Sequence, residues 1–386
     1  MEIESGIAGY ADELTAIQRD LHQHPELGFQ EVRTSGIVAE KLESWGIEVH
    51  RGLGGTGVVG VIEGRAGKGR SIGLRADMDA LPIEERTNLP WRSRTPGIFH
   101  GCGHDAHTTM LLGAARHLAS SRNFAGRVVL IFQPAEEGLG GARAMLADGL
   151  FDRFPCDEVY GIHNSPYHAP GEVGIRPGTA MAGADFFDIR INGRGSHGAM
   201  PQVARDPIYI ATTLVQALQS IVSRNATPTD PAVLSVTQFH SGSAYNVIPD
   251  TATVSGTMRM FSDGLRRLMR ERMRTICEGM AASFEVEIEV EIRDIFEVLV
   301  NDADLSRAVA DAAGEIVGAE KVSMKSERTM GSEDFADMLR VVPGAYFTLG
   351  HKGEVPLHNP GFILDEGILP VGASIFARIA ERRLAV

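Results

Sequence analysis

The sequence contains few cysteines, few aromatic residues and no long apolar run, and each shortage narrows what the protein can be. Its three cysteines, Cys102, Cys156 and Cys277, are odd in number and lack CxxC spacing. This argues against a disulfide framework and predicts a reducing, cytoplasmic compartment. No stretch approaches the roughly 18 apolar residues of a bilayer-spanning helix. Residues 1–20 mix acidic and apolar side chains, which predicts an amphipathic helix and no secretory signal.

Positive charge is also scarce. The 37 lysines and arginines stand against 50 acidic residues, giving a formal net charge of −13. Phosphate-backbone binding therefore has no electrostatic support, and nucleic acid is not an expected partner. The fractions of hydrophobic residues, 43%, and charged residues, 23%, over 386 positions are those of an ordinary globular protein. This length predicts two or three domains, or one domain with a large insertion.

Short β-branched runs alternate with helical patterns from the start of the chain to about residue 180. The alternation predicts an α/β fold with a mostly parallel central sheet covered by helices. Ligands collect at the carboxyl ends of the strands in such sheets, so polar residues that follow the apolar runs are candidates for a site. Those residues are Asp77 and Asp79 after one strand, Glu136 and Glu137 after a second, and His163 after a third.

A different pattern occupies residues 185–295. Its order of strand, helix, strand, strand, helix and strand is that of a ferredoxin-like α+β module. We therefore predict an inserted second domain at 185–295, and a catalytic domain made of residues 1–184 and 296–386. A ferredoxin-like module has an edge strand and a helical face available for pairing, so this domain is a candidate dimerisation or lid domain. In the catalytic domain, GSEDFADMLR is predicted to begin a capped helix.

The densest cluster of reactive residues is HGCGHDAHT at 100–108. Cys102 and His104 offer a thiolate and an imidazole two positions apart, and the flanking glycines allow a tight turn that directs both to one point. Alternatively, Cys102 is a small buried hydrophobe, and His104 and His107 only begin the following helix. Asp105 or Thr108 could also cap that helix, and that role would coexist with metal binding.

Two adjacent carboxylates stand in QPAEEG at 133–138. Neighbouring side chains on an extended segment point in different directions, so Glu136 and Glu137 are suited to separate tasks, one binding metal and the other moving protons. Alternatively, the pair complements the dipole of a helix that begins near Gly140. His163 and His358 each have an ordinary structural explanation when considered alone. Together these side chains supply the ligands and the base for metal-activated water.

Ten motifs run in order along the chain: LHQHPELGFQE, GLRADMDALPI, HGCGHDAHTTMLLGAA, FQPAEEG, GIHN, GSHGAMPQ, NVIPD, GTMR, MGSEDFA and PLHNPGF. In this set the chain resembles the dinuclear metallopeptidase and aminoacylase superfamily, specifically its hippurate hydrolase and auxin-conjugate (IAA-amino acid) hydrolase branch. The resemblance implies that two divalent metal ions are bound, and that Glu136 is the general base. The ligands it implies are Cys102, His104, Glu137, His163 and His358.

One departure separates this branch from the wider superfamily. Asp77-Met78-Asp79 stands where other branches have H-x-D, and a cysteine lies in the region of the expected bridging carboxylate. The identity of the metal stays open, because thiolate and imidazole favour Zn²⁺ while the family also suggests Mn²⁺. Asp79 is predicted to orient a ligand histidine, and a solvated turn aspartate is the alternative.

Three positions in the inserted module also match the resemblance. The histidine that corresponds to His197 reaches across a dimer interface in the family and polarises the scissile carbonyl in the partner's site. Asn246 and Arg259 match substrate-binding positions, and a guanidinium suits a free α-carboxylate because it offers paired donors. A solvated charge at a strand end is the alternative for Arg259.

The resemblance implies a homodimeric, metal-dependent amidohydrolase that cleaves N-acyl-L-amino acids, such as hippurate or N-acetyl amino acids, to a carboxylic acid and a free amino acid. A dipeptidase or a deacetylase of N-acetyl-diaminopimelate type is the alternative within the superfamily. A noncatalytic metal-binding protein is disfavoured because Glu136 would then have no structural duty. The acyl group and the preferred amino acid stay open.

Overall fold

The computed structural model describes residues 3–385. The chain forms two compact units. Residues 3–180, 300–327 and 334–385 make up the first, here called the α/β unit, and residues 181–299 and 328–333 make up the second, here called the small unit. Within the described range, no helix combines the length and the apolar character needed to cross a bilayer.

The bounds of the elements follow the chain. The helices are α1 Ser5–Ala8, α2 Ala11–Gln23, α3 Val32–Ser44, α4 His104–Ser121, α5 Gly141–Ala147, α6 Leu150–Arg153, α7 Pro207–Ser220, α8 Asp263–Phe284, α9 Ala303–Val317, α10 Phe335–Leu339 and α11 Leu369–Arg383. The strands are β1 Glu48–Leu53, β2 Gly57–Glu63, β3 Ser71–Asp77, β4 Arg127–Gln133, β5 Glu158–Ser165, β6 Val173–Ile175, β7 Gly178–Met181, β8 Gly183–Asn192, β9 Ser196–His197, β10 Ala232–Ser241, β11 Val247–Ile248, β12 Thr251–Met260, β13 Glu287–Phe296, β14 Leu299–Asn301, β15 Val322–Ser323 and β16 Gly344–Gly350. The amphipathic helix predicted for residues 1–20 corresponds to α1 and α2, and residues 1 and 2 lie outside the described range.

The α/β unit is built on one sheet with the strand order β1-β2-β4-β3-β5-β16-β6-β15. Its central strands β4, β3, β5 and β16 run parallel, while β1 and β2 pair antiparallel at one edge. The central strands are buried along almost their whole length, as expected for strands covered by helices on both faces. The predicted α/β fold with a mostly parallel sheet is confirmed.

Helix α4 lies at the centre of one helical layer. It packs against β3, α2 and α11, and most of its residues are buried. Each fully buried leucine, such as Leu111 or Leu118, contributes about 1.5 to 3 kcal/mol of burial free energy. Gly113 permits the close approach of α11, because an added Cβ would lie 2.8 Å from the Cβ of Ala373. This packing fixes the N-terminus of α4 at the carboxyl end of the sheet.

The small unit has a four-stranded antiparallel sheet in the order β10-β12-β8-β13. Helices α7 and α8 cover one of its faces through an apolar core that includes Phe187, Leu214, Val254 and Met269. The βαββαβ order is the ferredoxin-like arrangement that the sequence pattern predicts. Beyond the sheet, β9 and β11 form a short two-stranded ribbon.

Two predicted helix caps are wrong. Asp334 precedes the five-residue helix α10 but makes no capping bond there, because its carboxylate instead accepts hydrogen bonds from Arg75, Gln133 and the backbone of Ala142. Helix α4 begins after Gly103 in the left-handed conformation. The carboxylate of Asp105 is bound to Gln18 and His22 on α2.

Candidate metal centre

The turn before α4 brings Cys102 and His104 together. Gly103 has φ 93°, which suits glycine because it lacks a Cβ. An added Cβ would also lie 2.5 Å from Oδ1 of Asn164. The Sγ atom of Cys102 lies 3.4 Å from Nε2 of His163, at the end of β5. Strands β3, β4 and β5 therefore end beside this turn.

The imidazoles of His104 and His163 each have their Nδ1 atom engaged by an oxygen. Nδ1 of His104 lies 3.2 Å from Oδ1 of Asp79, and Nδ1 of His163 lies 2.6 Å from the carbonyl oxygen of Asn164. Because both partners are acceptors, Nδ1 carries the proton on each ring in its neutral form, and Nε2 then has the lone pair that a metal requires. Such outer hydrogen bonds orient histidines that bind metal through the other nitrogen.

Asp79 also fixes the two adjacent glutamates. Its Oδ1 accepts from the backbone N–H of Glu136 and its Oδ2 from that of Glu137, both at 3.0 Å. The Asp79 side chain is buried, which contradicts the alternative of a solvated turn aspartate. One carboxylate thus ties the ends of β3 and β4 to the start of α4.

The glutamate side chains lie beside the histidines. Oε1 of Glu137 is 3.3 Å from Nε2 of His358 and 3.9 Å from Nε2 of His104. The His358 side chain is half-exposed and its backbone N–H is held by the carbonyl of Gly101 at 2.9 Å. Glu136 is buried, and the backbone N–H of Asp334 approaches its Oε1 at 3.4 Å.

The ligand atoms form overlapping groups. In each group the atoms lie within 4.8 Å of one another, and the groups are Cys102 with His104 and His163, Cys102 with Glu137 and His358, and His104 with Glu136 and Glu137. The structure therefore brings together all five side chains that the motifs implied as ligands. Cys102 belongs to two of the groups.

These side chains fit a divalent cation. Nε2 of His104 and Oε1 of Glu137 are buried and, among the residues described, have no hydrogen-bond partner of normal geometry. Unsatisfied buried polar atoms are costly, and a cation would satisfy both at once. Thiolate, imidazole and carboxylate are the ligands that Zn²⁺ and related ions take.

The pKa values of these groups indicate competition between protons and a cation. Burial raises the pKa of the Cys102 thiol, and the charge of Glu137 raises it further. The close approach of Cys102 and of Glu137 raises the pKa of His358 to about 10. Burial holds the pKa of His163 well below its ordinary value, so its ring is neutral and able to bind metal. Cation binding at Cys102 is thus expected to release a proton.

Beneath the ligands lies a buried arginine that sequence reasoning missed. Arg75 donates to Asp77 at 2.7 Å, to Gln133 at 2.8 Å and to Asp334 at 3.1 Å. Burial alone would raise the pKa of Asp77, but the charges of His104, His107 and Arg75 lower it well below its ordinary value. The available signal was an arginine inside the apolar run SIGLRAD.

Asp77, His104 and His107 form a further group with metal-ligand spacing, yet two of the three are already engaged. Asp77 Oδ1 lies 2.6 Å from Nδ1 of His107, and Nε2 of His107 lies 2.7 Å from Oδ1 of Asn164. With a guanidinium also on Asp77, a cation has no favourable place there. We assign this group to the support of the site.

The other three predicted residues belong to the small unit. His197 pairs with Val247 between β9 and β11, and its Nδ1 accepts from the backbone N–H of Ala199 at 3.1 Å. Asn246 is next to this ribbon, since its carbonyl accepts from Gly198 at 2.7 Å. Arg259 lies near the opposite end of β12, where it donates to Thr257 at 2.8 Å. The structure brings His197 and Asn246 together and separates Arg259 from both.

A helix-covered parallel sheet that gathers thiolate, imidazole and carboxylate ligands around a spare glutamate defines a metal-dependent hydrolase. The chain belongs to peptidase family M20/M25/M40, whose family model matches residues 73–382. The family resemblance seen in the motifs is confirmed.

Relatives of known description match over nearly the whole chain. The hippurate hydrolase of Campylobacter jejuni is 42% identical over 372 residues, which cover 96% of this chain and 97% of that protein. The IAA-amino acid hydrolase ILR1-like 4 of Arabidopsis thaliana is 38% identical over 385 residues, covering 97% and 86%. The crystal structure of the Bacillus subtilis YXEP protein, a dinuclear metal binding peptidase, matches with a TM-score of 0.85 and 36% identity over 98% and 99% of the two chains.

Proposed function

We propose that the protein is a metal-dependent amidohydrolase that cleaves N-acyl-L-amino acids, of hippurate or N-acetyl type, to a carboxylic acid and a free amino acid. The observation that carries this proposal is the position of the buried carboxylate of Glu136. It lies beside the two candidate ligand groups that contain Cys102, and it is a member of neither. The activities of the hippurate hydrolase and IAA-amino acid hydrolase relatives support the substrate class.

The residues of the α/β unit would hold two divalent ions, and the dinuclear metal binding relative supports this number. Thiolate and imidazole ligands favour Zn²⁺, and Mn²⁺ is the alternative. Cys102 is the candidate shared ligand because it belongs to two groups. His104 and His163 would complete one group, and Glu137 and His358 the other. When bound, such ions lower the pKa of a water molecule and polarise the substrate carbonyl.

The three free cysteines support a reducing, cytoplasmic location.

The chain's own groups divide the proton transfers. Glu136 takes a proton from the attacking water and delivers it to the leaving amine, which is general acid–base catalysis by one carboxylate. His197 accepts a hydrogen bond at Nδ1, so its neutral ring carries the proton on Nε2 and can donate it to the developing oxyanion. Arg259 would bind the free carboxylate of the substrate through paired N–H donors.

We also propose a homodimer that shares residues between its sites. Strand β12 is ten residues long and spans roughly 30 Å at about 3.3 Å per residue. Arg259 lies near its C-terminal end, whereas Asn246 precedes its N-terminal end and lies next to the ribbon that carries His197. This separation far exceeds the length of an N-acyl amino acid. Residues at both ends can serve one substrate only if two subunits contribute.

The pairing surface we propose is the edge of the small unit. Strand β10 pairs only with β12 among the described strands, and its Phe239 is exposed, as is Tyr209 on α7. An unprotected edge strand with exposed apolar residues is a template for pairing with another chain. A dimer formed there would cover both features.

The test is a substrate panel combined with metal analysis. Protein loaded with Zn²⁺ or with Mn²⁺ is incubated with hippurate, N-acetyl amino acids and dipeptides, and release of free amine is measured. We expect release from acylated amino acids, loss of release after chelation and recovery when metal is restored. Turnover of dipeptides alone would favour the dipeptidase. A fully loaded protein that hydrolyses none of these amides would refute the proposed function.

A further inference from the structure

The segment HPELGFQE at 24–31 contains two glutamates that the proposed mechanism does not use. Glu26 caps helix α3, because its carboxylate accepts from the backbone N–H groups of Arg33 at 2.9 Å and Thr34 at 2.8 Å. Glu31 has a different duty. Its side chain is fully buried and accepts from the hydroxyl of Thr56 and from the backbone N–H of Ala135, the latter at 2.8 Å.

Ala135 is the residue immediately before the two site glutamates, and its backbone is unusual. It has φ 54°, in the left-handed region that residues with a Cβ seldom adopt. Both of its backbone polar groups are fixed from outside, the N–H by Glu31 and the carbonyl by the N–H of Gly141 at 3.0 Å.

Two glycines make this arrangement possible. A Cβ added to Gly28 would lie 3.0 Å from the Cα of Ala135, and one added to Gly141 would lie 1.6 Å from the carbonyl oxygen of Pro134. The first glycine lets the segment that carries Glu31 approach the turn, and the second lets α5 begin against it. The turn is therefore fixed at Ala135 by Glu31 and by Gly141.

We propose that Glu31 is a positioning residue that holds Ala135 in its left-handed conformation and thereby sets the directions of Glu136 and Glu137. Asp79 anchors the backbone after Ala135, and Glu31 anchors the backbone at Ala135 itself. Without Glu31 the N–H of Ala135 is buried and unpaired. The turn then relaxes toward a common backbone conformation and carries both carboxylates away from their places. This inference rests on the proposed function for the roles of those two residues.

The variants Glu31→Gln and Glu31→Leu separate positioning from simple burial. Glutamine keeps an oxygen for Ala135 and directs its amide N–H₂ to the Thr56 hydroxyl, which can also accept. Leucine offers no acceptor. Glu26→Ala is the matched control, since it removes a neighbouring carboxylate with a helix-capping role.

With hippurate as substrate, we expect Glu31→Leu to lower kcat at least about tenfold with KM within about twofold, because misplacing a base by about 1 Å slows the chemical step. Glu31→Gln should stay within about threefold of the wild type. Glu26→Ala should lower the melting temperature and leave kcat unchanged. Equal losses in Glu31→Gln and Glu31→Leu, or none in either, would overturn the proposal.

Amide hydrogen exchange provides a readout that does not depend on activity. In the wild type, the N–H of Ala135 should exchange slowly although it lies outside helices and strands, and in Glu31→Leu it should exchange at least about tenfold faster. Metal content is measured in parallel, and Glu31→Leu should bind less metal through Glu137. Fast exchange of Ala135 in the wild type would refute the anchor, even if the leucine variant failed to fold. Inactive wild-type protein with a protected Ala135 would instead count against the proposed function alone.

Discussion

Cys102 combines two properties that make it the most informative single residue to change. Its thiol belongs to two candidate ligand groups, and burial raises its pKa, so a cation bound beside it would favour the thiolate form. We predict that Cys102→Ser keeps the fold but loses most bound metal, because a hydroxyl does not replace a thiolate ligand. Elemental analysis and circular dichroism measure the two quantities.

The matched control for this change is Cys156→Ser. Cys156 is partly buried, and its thiol donates to the carbonyl oxygen of Phe154 at 3.4 Å, a bond that a serine hydroxyl can make. This variant should bind metal like the wild type. Full metal occupancy in Cys102→Ser would remove Cys102 from the ligand set.

Glu136 and Glu137 are adjacent but have different surroundings, so isosteric changes should separate them. Glu136→Gln is expected to keep its metal and its KM while kcat falls by about two orders of magnitude or more, because an amide cannot accept the proton. Glu137→Gln should weaken metal binding, since Oε1 of Glu137 lies near two ligand histidines. Metal content and steady-state kinetics of both variants decide the assignment, and the opposite pattern would exchange the two roles.

Helices α3 and α4 each contain a glycine. The surroundings of the two glycines predict that replacing each with alanine changes the free energy of unfolding in opposite directions. Gly36 on α3 has open space where a Cβ would be, whereas a Cβ on Gly113 of α4 would lie 2.8 Å from the Cβ of Ala373 and 3.1 Å from Leu14. Alanine favours a helix by about 0.5 to 1 kcal/mol over glycine, but overpacking costs about 1 to 3 kcal/mol.

We therefore predict that Gly36→Ala raises the free energy of unfolding by about 0.5 to 1 kcal/mol and that Gly113→Ala lowers it by about 1 kcal/mol. Urea denaturation of the two variants and the wild type gives the comparison. Because α4 carries His104, Gly113→Ala should also lower metal affinity. If both changes raised the free energy of unfolding, α11 would have to move away from the added methyl group without loss of stability.

Over the whole molecule, the elements could be predicted because their signals are local. Apolar runs such as VVLIF in β4 and the βαββαβ order of the small unit follow from periodicity alone. Candidate ligands could be predicted where they lie near the carboxyl end of a strand, as His163 does, or at the start of a helix, as His104 does.

The supports of the site gave no such signal. Arg75 reaches Asp334 across 259 positions, and Glu31 reaches Ala135 across 104. Neither spacing corresponds to a helix or strand period, so the sequence pattern does not indicate either contact. Contacts of this kind form only when strands and helices are assembled. They can therefore be identified from the structure but not from the periodicity of the sequence.

The shared site that we propose would be a property of the dimer, and complementation tests it. His197 is on the ribbon of the small unit and Glu136 follows β4 of the α/β unit, so each can be removed separately. Inactive His197→Ala subunits are mixed with inactive Glu136→Gln subunits under conditions that allow exchange. If sites are shared, each mixed dimer contains one site with an intact Glu136 from one chain and an intact His197 from the other. About a quarter of the wild-type activity should return, because half of the randomly formed dimers are mixed and each has one intact site.

The matched control mixes Glu136→Gln with Glu137→Gln. Both of these changes lie on the same turn after β4, so every site in a mixed dimer keeps one damaged glutamate and no activity should return. If each chain instead used its own His197, the first mixture would also stay inactive, because every site would carry one lesion. Verified mixed dimers without activity would thus assign His197 to its own chain. They would also count against the proposal that two subunits must contribute Asn246 and Arg259 to one substrate.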